Sequence, residues 1–112
     1  MVKRLAEKQS AHDKCVEGLA RSQVKEKWAV KADLSDWEKP PEVVGYIPDI
    51  HAVKNTVQKI IEVETEETLE TDKVQIAAFR NYAETHNQVF FWLYVANEKG
   101  NCEYKGAWHK NS

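Results

Sequence analysis

Three carboxylates crowd the middle of the chain. Asp49, Glu62 and Glu64 lie within GYIPDIHAVKNTVQKIIEVETEE, residues 45–67. The apolar and β-branched alternation around them reads as two strands joined by a short turn at Lys54-Asn55-Thr56, where asparagine suits a positive φ. If Asn55-Thr56 is a two-residue turn, Lys54 pairs with Val57 and Asp49 lies opposite Glu62. Glu64, two residues on, shares the face of Glu62. A three-residue turn would move the pairing by one and carry Asp49 to the other face. Like charges at cross-strand distance repel, and burial makes this worse. A divalent cation relieves the repulsion, and carboxylates with water suit Mg²⁺ or Mn²⁺, which prefer oxygen ligands. Such an ion can activate water and stabilise charge on a phosphodiester. The competing reading leaves all three acids in solvent along an exposed face of the hairpin.

The elements that must position these residues follow from periodicity and punctuation. Ser10 reads as an N-cap, and Cys15, Val16, Leu19 and Ala20 recur at helical spacing. The expected first helix covers residues 10–25, with an extension upstream through KRLAEK. WAVKADL, residues 28–34, alternates as a half-buried strand. A polar loop ending at Pro40-Pro41 separates it from VVGYIPDIHAV, the second strand, and TVQKIIEVE, the third. The second helix is expected over residues 65–86, with an acidic first turn that suits the helix dipole. QVFFWLYVA, residues 88–96, is nearly all apolar and reads as a central strand buried on both faces. A turn at Lys99-Gly100-Asn101 leads to a short last strand. The order α-β-β-β-α-β-β implies an α/β fold, a mixed β-sheet flanked by helices.

The chain has 112 residues, 42% hydrophobic and 30% charged, which suits one folded domain spanning residues 1–112 and excludes a disordered chain. No apolar run is long enough to cross a membrane, and MVKRLAEKQS has no apolar core after its basic residues, so neither a membrane partner nor a secretory signal is expected. Cys15 and Cys102 make no zinc spacing and no disulfide framework, which implies a reducing, cytoplasmic setting. Charge is uneven. Residues 1–31 carry eight basic and four acidic residues, net +4, and residues 32–112 carry eight and fourteen, net −6. A basic first helix could face a polyanion while an acidic centre holds cations; the alternative is a solvated helix face. Of the tryptophans, Trp28 and Trp92 read as core, Trp37 as a contact surface, and Trp108 as cover for a sheet edge.

Pro48-Asp49, twelve residues, then Glu62-Val63-Glu64 closing an apolar strand, resembles the PD-(D/E)xK nuclease superfamily. Helix, three strands, helix, strand also resembles the αβββαβ core of that restriction-endonuclease-like fold, and the likeness covers residues 10–96. It implies a metal-dependent nuclease or a nuclease-derived domain acting on nucleic acid, DNA first. Asp49 would be the main ligand of Mg²⁺ or Mn²⁺, Glu62 the second, with the backbone carbonyl of Val63 nearby. Glu64 stands where the family usually has lysine, so it would act as base or extra ligand, or the chain would be an inactive binding module. Gln75, early in the second helix, and His12, in the first, match places from which relatives reach the active site. The ordinary alternative for both is a surface residue. A homodimer is plausible for a small nuclease that cuts two strands.

Overall fold

The computed structural model describes residues 6–111, and the side chains of residues 9–111. Helix α1 spans Ala6–Lys25, β1 Ala29–Ala32, β2 Ile50–Lys54, β3 Val57–Glu64, α2 Glu66–Thr71, α3 Lys73–Thr85, β4 Val89–Ala96 and β5 Cys102–Trp108. The five strands form one sheet in the order β1-β2-β3-β4-β5. All neighbours are antiparallel except β3 and β4, which are parallel and joined through α2 and α3. The α/β class and the mixed, helix-flanked sheet are as the sequence implied.

Strand alternation divides the core in two. Cys15, Val16 and Ala20 of α1 pack on Ala32, Ile50, Ile61 and Val63 on one face. Phe79 and Ala83 of α3 pack on Ile60, Val89, Phe91 and Leu93 on the other. Even-numbered residues of β3 therefore face α3 and odd-numbered ones face α1. The β2–β3 register runs from Lys54↔Val57 to Ile50↔Ile61, as a two-residue Asn55-Thr56 turn requires, with Asn55 at φ 56°.

Several boundaries differ from expectation. Ser10 lies inside α1 rather than capping it, since the helix already runs from Ala6; the proposed extension over residues 3–5 lies outside the described residues. The second strand begins only at Ile50. Upstream of it, Val43 and Tyr46 exchange backbone hydrogen bonds of 2.7 and 3.0 Å around Val44 (φ 45°) and Gly45 (φ 90°). The single second helix is two, broken at Asp72. Thr65 caps α2 in a capping box closed by Thr68, and the Asp72 N–H closes that helix onto Thr68 O. The strand buried on both faces along its C-terminal half is β3; in β4 Phe90, Trp92 and Tyr94 are only half-buried. Trp108 ends the edge strand β5 and stacks on Phe91 of β4 at 5.6 Å, on the face that α3 covers.

The two cysteines are the largest correction. Cys15 and Cys102 form a disulfide, with Cα atoms 5.4 Å apart and a sequence separation of 87. Spacing gave no hint of it, because packing of α1 against the start of β5 brings them together. The cytoplasmic setting inferred from unpaired thiols loses that ground. No helix among the described residues is long and apolar enough to cross a membrane.

Candidate functional site

An open cavity of about 660 Å³ lies at the end of the sheet where β2 begins and β3 ends, between α1 on one side and the α2–α3 break on the other. Its wall includes His12, Asp13, Asp33, Asp49, Glu62, Asp72 and Gln75, and no lysine or arginine among the described residues. The exposed side chains of Ile47 and Val74 stand at its rim.

Asp49 directly precedes β2, and the register carried one residue past Ile50↔Ile61 puts it beside Glu62. Two hydrogen bonds lock the pair. The Asp49 N–H donates to Glu62 Oε1 at 2.8 Å, and the Val63 N–H donates to Asp49 Oδ2 at 2.8 Å. Gln75 of α3 donates from Nε2 to Glu62 Oε2 at 2.9 Å. His12 of α1 is 4% exposed, with Nε2 3.4 Å from both Asp49 oxygens and Nδ1 3.0 Å from Asp13 Oδ1. Four of the five side chains singled out in the sequence thus form one connected group, held from four elements. Val63 takes part through its N–H, which orients Asp49.

Glu64 stands apart from that group. It is 1% exposed, and neither carboxylate oxygen has a hydrogen-bond partner. Thr68 and Asp72 approach without closing a bond of normal geometry. Burial pushes its pKa up to about 8; the Thr68 hydroxyl opposes the rise and Asp72 adds to it. Burial likewise raises Glu62 well above the ordinary carboxylate range, followed by the charges of Asp49 and Glu64. The solvated-face reading of the hairpin acids is therefore excluded for Glu62 and Glu64.

Sequence reasoning missed Asp72 and Asp33. Asp72 lines the cavity, raises both buried glutamates, and does not spend its side chain on capping α3. Its one signal was Thr71-Asp72 before KVQIAAF, a pattern that can begin a helix. Glu17, five residues beyond His12 on α1, faces elsewhere and accepts 2.6 Å from Trp37 Nε1 and 2.9 Å from Arg21 Nε. That bond anchors Trp37, which stays half-buried. The basic face of α1 is partly spent in the same way, since Lys14 reaches Lys99 O at 3.2 Å.

The donor chemistry suits a hard cation. Two adjacent carboxylates, Glu62 with its charge penalised chiefly by burial, opening on a cavity that admits water, match the way Mg²⁺ or Mn²⁺ is held by one or two carboxylates and several waters. Among the described residues no three His, Cys, Asp or Glu side chains converge as a complete metal cage, so water would supply the remaining ligands. Comparison with known families finds no family model that matches the chain, and comparison with curated proteins finds no match.

Proposed function

We propose that the chain is a divalent-cation-dependent hydrolase of the nuclease type, acting on nucleic acid phosphodiesters. The observation that carries this reading is the locked Asp49–Glu62 pair in a cavity with acidic walls and, among the described residues, no lysine or arginine. Resemblance to the PD-(D/E)xK motif and to the αβββαβ order supports it. A phosphodiester is an anion, and this cavity would repel one until a cation is bound. Asp49 and Glu62 would hold Mg²⁺ or Mn²⁺, which when bound supplies Lewis-acid stabilisation and a more acidic water. The Val63 N–H and Gln75 Nε2 fix the two carboxylates, and His12 braces Asp49 from the other helical layer. Glu64, with its proton retained up to about pH 8 in the cation-free protein, is not a free base there; lowering its pKa requires positive charge nearby.

The test joins binding to cleavage. Mn²⁺ is expected to raise the melting temperature of the wild type and not of Asp49→Asn, because only the folded state holds the ion. Glu62→Gln should weaken the shift strongly. Slow Mn²⁺-dependent cleavage of single-stranded or duplex DNA, absent in Asp49→Asn, is the expected activity. Absence of any Mn²⁺ shift in the wild type would overturn the reading. A shift without cleavage of any substrate would select the second reading, a nuclease-derived binding module, which the absence of lysine and arginine from the cavity among the described residues favours.

A further inference from the structure

At the other end of the sheet, on the face that α1 covers, a cavity of about 300 Å³ is walled by Trp28, Phe90, Trp92, Val57, Lys54 and Lys59. Helix α1 ends at Lys25, so these rings are only half-buried. The Lys59 ammonium stands 4.4 Å from the Trp28 ring centre and 5.4 Å from that of Trp92, and Lys54 stands 5.0 Å from Trp28. Gln23 Oε1 accepts from Lys59 at 2.8 Å. Neither lysine has a carboxylate within ion-pair distance among the described residues. Burial lowers the pKa of Lys59, with Glu26 opposing and Lys54 adding to that effect. The wall thus offers flat π-surfaces and two ammonium groups outside any close ion pair among the described residues, in a volume at the small end for a ligand pocket.

A ligand that satisfies both features is anionic and carries a flat unsaturated ring. An aliphatic anion would leave the indoles unused, and a neutral ring would leave the ammonium groups unpaired. We propose that this cavity binds a nucleotide unit, its base stacked against Trp28 and Trp92 and its phosphate on Lys54 and Lys59. Base–aromatic stacking and ammonium–phosphate contact are the ordinary means of holding such a unit. The same chemistry is presented by a free nucleotide and by one residue of a single strand. The site is separate from the acidic one: Lys59 and Glu62 lie three positions apart on β3 and face opposite sides of the sheet. Its test therefore runs in EDTA, where failure of the cation reading has no bearing.

Tryptophan fluorescence is titrated with octathymidylate, with thymidine monophosphate, and with a peptide of alternating glutamate and phenylalanine. Quenching by the oligonucleotide at low salt is expected, weakened about tenfold by Lys54→Glu and by Trp28→Leu, since each removes a phosphate or stacking contact. Lys54 lies beside the hairpin turn, so its variant keeps the test valid if Trp28→Leu does not fold. Tighter binding of the oligonucleotide than of the mononucleotide assigns the unit to a strand; equal binding assigns it to a free nucleotide. No quenching by either nucleotide, unchanged affinity in a folded Lys54→Glu, or equal binding of the peptide would overturn the proposal.

Discussion

Glu64 is 1% exposed and has no hydrogen-bond donor at either oxygen, so its charge state is set by what surrounds it. A carboxyl whose folded pKa is raised binds its proton more tightly in the folded chain than in the unfolded one. Its favourable contribution is complete below the unfolded value near 4.5 and is lost as pH rises through about 8. Stability in EDTA is therefore expected to fall across that window, by an amount on the order of 4 kcal/mol. Glu64→Gln keeps the shape and removes the titration. Urea melts of that variant should lose the Glu64 share of this slope, leaving the share that belongs to buried Glu62, and show greater stability than the wild type above about pH 8. Equal slopes in the two proteins would mean that the charge is already neutralised by another group. Added Mn²⁺ should recover part of the loss in the wild type at alkaline pH and little in Glu64→Gln, which measures how closely the cation and this carboxylate are coupled.

Elements that rely on local chemistry were the legible ones. The Asn55 turn and the alternation on either side gave the β2–β3 register, and with it the meeting of Asp49 and Glu62. The class of fold followed from the order of periodic segments. What stayed hidden depends on contacts distant in sequence or on signals that resemble their surroundings. Asp72 breaks a helix inside EETLETD, where one more acid carries no contrast. The Cys15–Cys102 bond and the His12–Asp49 contact join positions 87 and 37 residues apart, beyond the reach of periodicity. Val43–Tyr46 was absorbed into a strand because its residues are β-formers, yet Val44 sits at φ 45° beside the cavity, a conformation that β-branched residues rarely adopt. Val44→Asn gives this two-residue turn the Asn-Gly pair it suits, and should raise stability by about 1 kcal/mol in urea melts. Thr65→Ala opens the α2 capping box and should cost about 1 kcal/mol. Because α2 leads directly to Asp72 and Gln75, the same variant is expected to weaken Mn²⁺ binding, read by calorimetry.

At the scale of the molecule, the disulfide ties the first helix to the last strand and encloses nearly the whole sheet. Closing a loop whose ends are 87 positions apart removes unfolded-chain entropy worth about 4–5 kcal/mol. Reduction, or Cys102→Ser, should lower the melting temperature by roughly 10–20 °C for a chain of this length. It should also loosen α1, and with it the brace of His12 on Asp49. A scan in reductant that leaves the melting temperature unchanged would show that the cross-link is not formed in solution.

One arrangement has a kinetic side. The carboxylates gather where β2 begins, Lys54 stands at its other end, about 17 Å away at the rise of an extended strand, and Lys59 stands about 10 Å from Glu62 along β3. Such a separation of charge gives the protein a preferred heading in the field of a polyanion. A nucleic acid drawing near would be met by the lysine end first, while the carboxylate end is turned away until a cation has reversed its sign. Encounter rate and cation occupancy then answer to different variables: the first falls as ionic strength rises, and the second follows the free concentration of the ion.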